Sequence, residues 1–273
     1  MKITVLAENT AISEVFGSEH GLSVLIQMKD ATILFDTGCG GLFLENAGRL
    51  GLDLSEVTHL VLSHGHYDHG GGIPAFLRMN RQAKVYLRRE AFTPTYAIRG
   101  EGETEYIGLP KGLREEARLV FTHDRMAIAE GVTLYSDIRL SEPIPNTNRN
   151  LMAEDGCQLF QDTFNHEQYA EMVEDGKTLL LTGCSHHGIV NILKDYSEKT
   201  GREPDVVIGG FHLHSHTHGR AEDSVLDGVA EYLARTAAKY WTCHCTGIPA
   251  YEELKKRLGE QIDYISGGQA LTL

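Results

Sequence analysis

Four short apolar runs in this chain each lead within a few residues to a histidine, and this pattern constrains the fold more than any bulk property. Val57 to Leu62 empties into Ser63-His64-Gly65-His66-Tyr67-Asp68-His69, followed by Gly70-Gly71-Gly72. Thr178 to Leu181 leads to Gly183-Cys184-Ser185-His186, Asp205 to Ile208 to Gly209-Gly210-Phe211-His212, and Lys239 to Cys243 to His244. Runs this short and this apolar predict strands lying inside a sheet covered on both faces. Further strands are predicted over 2–7, 22–28, 31–35 and 269–273. Helical patterns fall over 42–50, 73–79, 188–199, 222–237 and 249–258. The alternation points to an α/β layered domain, whose binding sites form at the ends of its strands.

Composition narrows the field. With 273 residues, 41% of them apolar, the chain fits one domain spanning 1–273 with a sizeable core. Its formal net charge of −13 argues against nucleic acid as a partner, because phosphate binding needs clustered Lys and Arg. Met1 to Leu6 runs straight into a strand pattern with no signal-peptide character, and no apolar run approaches a membrane span. Five cysteines without a disulfide spacing suit a reducing cytoplasm. From about 94 to 150 the pattern degrades among Gly100, Gly102, Gly108, Pro110, Gly112, Pro143 and Pro145. That segment is expected to be an insertion, either a mobile cover over the substrate or a plain surface loop.

The chemistry is carried by 14 histidines bunched at 64–69, 186–187, 212–218 and 244. Imidazole and carboxylate are standard ligands of borderline divalent metals. His64 and His66 sit two apart just beyond a strand and project to one side; Asp68 and His69 follow after a turn and can face the same cavity. One loop can thus serve two ions. Asp36, in Asp36-Thr37-Gly38 after an apolar strand, fits a carboxylate that accepts a ring N–H from a metal-bound histidine. His166 is a weaker ligand candidate, and His214, His216 and His218 read as a solvated loop. Cys243 and Cys245 read as structural.

Ser63-His64-Gly65-His66-Tyr67-Asp68-His69-Gly70-Gly71 resembles the His-x-His-x-Asp-His signature of the metallo-β-lactamase fold superfamily, and Leu34-Phe35-Asp36-Thr37-Gly38 resembles its upstream Asp motif. Thr182-Gly183-Cys184-Ser185-His186, Gly209-Gly210-Phe211-His212-Leu213 and His244-Cys245-Thr246-Gly247 are similar to a narrower branch. That branch is named after dihydropterin ribofuranosylaminobenzene phosphate synthase. The resemblance spans nearly the whole chain. It implies a four-layer αβ/βα sandwich with metals at the common edge of two sheets. One ion would be bound by His64, His66 and a third His, the second by Asp68, His69 and a late His. Thr182-Gly183-Cys184 stands where the family's bridging Asp usually follows Thr-Gly. Either His186 takes over, or Cys184 binds as thiolate, or only one metal binds tightly; His186 is favoured, because a small Cys beside Leu181 suits packing. His212 is preferred to His244 as the late ligand. Asp68 and His244 are then the residues expected in catalysis, His244 as general acid or hydrogen-bond donor.

The implied chemistry is attack by a metal-bound hydroxide on an ester, lactone, thioester or phosphoester of a small molecule, phosphorylated or not. Zinc is the expected ion, with manganese or iron as alternatives. Two other readings stand beside it: a synthase condensing a phosphorylated pterin or ribosyl precursor, and a non-catalytic metal-binding or sensing protein. A flavodiiron-type redox protein would need a flavin domain, and none follows residue 273.

Overall fold

The computed structural model describes the backbone of all 273 residues and every side chain except that of Glu101. Two seven-stranded sheets form its centre. The first runs, in spatial order, Ala270–Thr272, Lys2–Ala7, Ser23–Gln27, Thr32–Phe35, His59–Val61, Lys84–Arg88, Leu119–Thr122. The second runs Ile262–Tyr264, Lys239–Thr242, Val206–Gly209, Lys177–Leu181, Tyr169–Glu174, Val132–Tyr135, Arg125–Ala129.

Side-chain alternation assigns each strand two apolar faces. Ile3, Val5, Val24, Ile26, Ile33, Phe35 and Val61 meet Leu134, Met172, Leu179, Leu181 and Ile208 in one apolar layer between the sheets. Their neighbours Leu6, Leu25, Leu34 and Leu60 point outward onto the helices Leu42–Arg49 and Ile73–Met79, through Phe43, Ala47 and Phe76. On the far side Leu180, Val207 and Tyr240 pack against Ile189–Thr200, Asp223–Leu233 and Ile248–Leu258. The result is a four-layer αβ/βα sandwich. Burial on both faces explains why the central strands read as unbroken apolar runs.

In each sheet the central strands are parallel: Thr32–Phe35 with His59–Val61 and Lys84–Arg88 in the first, and Lys177–Leu181 with Val206–Gly209 and Lys239–Thr242 in the second. Parallel strands must all finish at the same end, so their loops gather at one edge. There the loop from 63 to 72 meets those beginning at 182, 210 and 243.

The segment from 94 to 150 differs from the expected insertion. Leu119–Thr122 is a core strand, pairing in parallel with Lys84–Arg88 in a register that sets Val120 opposite Tyr86. Val132–Tyr135 and Arg125–Ala129 complete the second sheet. Only Thr95–Ile98 and Thr104–Tyr106 stand apart, in a four-stranded sheet with Leu151–Asp155 and Gln158–Gln161. These strands are short, and several are half-exposed or exposed, so neither a full apolar run nor a clean alternation marks them in the sequence. The helix expected over 222–237 ends at Leu233. Among the described residues no helix is long and apolar enough to cross a membrane.

The glycines after His69 are explained by close approach. A Cβ on Gly71 would press on the carbonyl oxygens of Cys39 and Tyr67, and one on Gly72 on those of Thr37 and Gly40. Backbone cannot step aside as a flexible side chain can, so Gly71→Ala and Gly72→Ala are expected to destabilise the fold by about 1–3 kcal/mol. Gly40→Ala, which meets nothing within 4 Å, is the control and should change little. Urea or thermal unfolding of the three variants checks this; equal stability of all three would contradict it.

Candidate metal centre

The loop that carries His64 to His69 is built around one buried carboxylate. Asp36 ends its strand in the left-handed region at φ +59°, a conformation short polar side chains tolerate. Its Oδ1 accepts the Ser63 N–H at 2.7 Å, and its Oδ2 accepts the Ser63 hydroxyl at 2.7 Å and faces His69 Nδ1 at 2.6 Å. With its proton given to Asp36, the Ser63 oxygen can only accept from His64 Nδ1, 2.8 Å away. Tyr67–Gly70 then forms a single helical turn that carries Asp68 and His69.

Partners of the Nδ1 atoms fix the tautomers on the other side too. Asn148 Nδ2 donates to the His186 carbonyl at 2.7 Å, which orients its amide, so Oδ1 accepts from His186 Nδ1 at 2.8 Å. Asn9 Oδ1 accepts the Gly21 N–H at 3.4 Å and likewise faces His244 Nδ1 at 2.7 Å. All four Nε2 atoms therefore present lone pairs inward. His64 Nε2 and His186 Nε2 face one another at 3.3 Å, and His69 Nε2 and His244 Nε2 at 3.2 Å. Asp68 Oδ2 lies 3.2 Å from His244 Nε2 and 3.7 Å from His69 Nε2.

Electrostatics separates the two pairs. Burial, reinforced by the surrounding imidazoles, holds His64 and His186 well below the usual histidine range, and burial pushes His66 down to about 3. The His64–His186 contact thus joins two neutral acceptors with no proton between them. Burial also opposes a charge on His69, but the Asp36 and Asp68 carboxylates outweigh it and raise the proton affinity of that ring. Burial opposes charge on Asp68 as well, and His69, His20 and His244 overcome it, so this carboxyl stays ionised. Both arrangements call for a cation at the Nε2 lone pairs. Donors about 3.4 Å apart are what a tetrahedral zinc with Zn–N of about 2.0–2.1 Å requires, so the residues fit such an ion.

Cys184 enters both clusters. Its Sγ lies 3.1 Å from His69 Nε2, and donor atoms of Asp68, His69, His244 and Cys184 fall within 4.8 Å of one another, as do those of His64, His186 and Cys184. His66 stands beside the first pair, ring centroids 4.6 Å from His64 and 4.9 Å from His186, its buried Nε2 lacking a partner.

The two late histidines take places opposite to those expected. His244, expected in the pocket wall, faces Asp68 and His69. The reason lies in the other sheet: Glu8 Oε1 accepts the His244 N–H at 2.6 Å and Asn9 its ring, both at the end of the first strand. His212, expected opposite His69, lies instead with its ring centroid 4.3 Å from that of His186, and donor atoms of His212, Cys184 and Cys245 fall within 4.8 Å of one another. His166 has both nitrogens committed, Nδ1 to the Gly65 N–H at 3.1 Å and Nε2 to Asp162 Oδ2 at 3.0 Å. It therefore braces the loop rather than facing an ion. Asn9, Asn148 and His20, whose Nε2 lies 3.3 Å from Asp68 Oδ2, escaped sequence reasoning. The one available signal was polar Glu8-Asn9 closing an apolar strand.

A cavity of about 280 Å³ opens onto these groups, bounded by Ala97, Ile107 and Leu151 on one side and by Arg99, His214 and His216 on another.

Comparison with known proteins bears on the family and the fold. A model of the metallo-beta-lactamase superfamily matches residues 17–145. An uncharacterized protein of Methanocaldococcus jannaschii is 31% identical over 255 residues, covering 93% of this chain and 94% of its own length. The 7,8-dihydropterin-6-methyl-4-(beta-D-ribofuranosyl)-aminobenzene-5'-phosphate synthase of the same organism is 27% identical over 288 residues, covering 99% of this chain and 96% of its own. A solved structure described as a metal-dependent hydrolase of the beta-lactamase superfamily is 30% identical, with a TM-score of 0.85 over 100% of this chain and 99% of that one. By its signature loop, its layers and its relatives, the chain belongs to the metallo-β-lactamase superfamily.

Proposed function

We propose that this protein is a metal-dependent hydrolase that cleaves an ester, lactone, thioester or phosphoester of a small molecule at a two-ion centre. The observation that carries this reading is the buried pair of neutral imidazoles, His64 and His186, whose Nε2 lone pairs face one another at 3.3 Å. His64, His66 and His186 would hold one divalent ion, and Asp68, His69 and His244 the other. Cys184 stands beside both sets, where a bridging carboxylate is usual in the family. The nitrogen-rich donor set suits zinc, with manganese or iron as substitutes.

A bound ion of this kind lowers the pKa of water to about 7 and polarises a substrate oxygen. The protein's own groups do the rest. Asp36 and Ser63 hold His69 and His64 in register, and Asn148 and Asn9 hold the tautomers of His186 and His244. His20 Nε2 faces Asp68 Oδ2, because Asn9 Nδ2 occupies its Nδ1 at 3.3 Å. Arg99 brings a guanidinium to the cavity wall, ion-paired to Glu105 at 2.7 Å, and an anionic substrate group, a phosphate included, would compete for it. Five free cysteines, three of them buried and two in donor clusters, suit a reducing compartment such as the cytoplasm.

A second reading has one observation in its favour. The synthase of Methanocaldococcus jannaschii is 27% identical over 99% of this chain, so condensation of a phosphorylated ribosyl or pterin precursor is the alternative reaction at the same residues. Assay of the zinc- or manganese-loaded protein against generic esters, thioesters and phosphodiesters, and against a pterin with a phosphoribosyl donor, separates the two. Absence of turnover in every assay would instead favour a non-catalytic metal-binding protein.

Replacing His64 and His66 together by Ala is expected to abolish tight binding at the first ion set while leaving the fold intact; equal metal content by elemental analysis would refute it. Asp36→Asn keeps the size of the side chain but cannot accept from Ser63 and His69 together as the carboxylate does, so metal affinity should fall about 10–100-fold. Competition with a chromogenic chelator measures that loss. His244→Ala should remove the ion of the Asp68–His69 set and retain the one at His64, His66 and His186. Loss of turnover with both ions retained would return His244 to the role of substrate contact.

A further inference from the structure

Two further buried donor clusters overlap the two ion sets: His66, Asp162 and His166, where both His166 nitrogens are already hydrogen-bonded, and Cys184, His212 and Cys245. Cys184, His212 and Cys245 bring two sulfurs and an imidazole nitrogen within 4.8 Å of one another, all in buried residues. His212 is only 8% exposed and lines the cavity, yet neither of its ring nitrogens has a hydrogen-bond partner. An imidazole removed from water with both nitrogens unanswered is rare in a native fold, because each lost hydrogen bond to water must be replaced. His212 is moreover held at φ +47°, a left-handed conformation uncommon for a histidine, with its carbonyl accepting from the Thr147 hydroxyl. Gly210 makes room for the sulfur: a Cβ there would lie 2.5 Å from Cys245 Sγ. The backbone is thus shaped to hold a buried ring that the protein itself leaves without a hydrogen bond, beside a thiol whose partner is the Cys184 carbonyl at 3.4 Å.

We propose that Cys184, His212 and Cys245 form a further cation site, specific for a thiophilic divalent ion of the zinc type, with its fourth position open to the cavity. Two thiolates and one imidazole are a donor set that zinc accepts in sites keeping one position for an exogenous ligand, and soft sulfur donors discriminate against magnesium and calcium. The site rests on the proposed centre only through Cys184, whose sulfur also falls among the donors of His64 and His186 and those of Asp68, His69 and His244. A shared thiolate links the occupancy of the two.

The test is cobalt and cadmium loading of the full chain, read as ions bound per chain and as thiolate-to-metal charge-transfer absorption. Cys245→Ser and His212→Asn are each expected to bind one ion fewer than the parent, with the charge-transfer band weakened most in Cys245→Ser. Asn tolerates the left-handed backbone at 212, so this variant keeps its fold even where a cysteine replacement does not; circular dichroism verifies it. The His64→Ala/His66→Ala double variant should keep the band, since it leaves all three donors in place. Unchanged stoichiometry and an unchanged band in the folded His212→Asn and Cys245→Ser variants would overturn the site. Failure of the two-ion reading looks different: the double variant would then bind as many ions as the parent, with His212→Asn still one short.

Discussion

The Asp36 carboxylate is the fixed point on which the site depends. It is fully buried, and its two oxygens accept the Ser63 N–H and hydroxyl and face His69 Nδ1. Through Ser63 it also fixes the tautomer of His64. One carboxylate at the end of a central strand thereby sets two imidazoles in register, each with Nε2 turned inward. The same logic recurs across the cavity with neutral amides: Asn148 for His186, Asn9 for His244. The inward nitrogens of His64, His69, His186 and His244 are thus each prepared by a partner on the far side of the ring, the arrangement by which proteins orient metal-bound histidines.

Burial then determines what such an array can hold. Imidazoles buried at the edge between two sheets resist protonation, and in His64, His66 and His186 burial outweighs any nearby carboxylate and holds the rings below the usual histidine range. Neutral rings whose lone pairs converge at 3.3 Å repel one another weakly and stabilise nothing by themselves. Their assembly is sustained by the sandwich core on either side, and their chemistry is that of donors awaiting a Lewis acid. His69 differs because Asp36 and Asp68 flank it, so proton and cation compete for the same lone pair. The cluster of Cys184, Cys245 and His212 carries that principle toward softer donors.

The sheets and most of their helices were legible in the sequence because the central strands are buried on both faces. A strand such as Leu179–Leu181, apolar toward both the other sheet and the helices, cannot be mistaken for a surface segment. Edge strands carry no such mark. Leu119–Thr122 and Arg125–Ala129 are half-buried or exposed over most of their length; the first pairs with Lys84–Arg88, more than 30 residues earlier, and the second with its hairpin neighbour Val132–Tyr135. Their reading as an insertion reflects that missing local signal.

At the site, residue type and spacing are local properties, so the donor-bearing residues and their place at strand ends are visible in the chain before it folds. The same holds for Asp36, since Asp-Thr-Gly directly after an apolar strand is a local pattern. Which donors meet depends on contacts between segments far apart in the chain. His212 and His244 end adjacent parallel strands and are equivalent in sequence terms. Glu8 and Asn9, reaching across from the other sheet, turn His244 toward Asp68 and leave His212 beside Cys184 and Cys245. His166 likewise lost its freedom to Asp162 and to the Gly65 N–H about 100 residues away. Hydrogen bonds between distant segments set each ring's orientation and tautomer, and no spacing rule within a single segment encodes them.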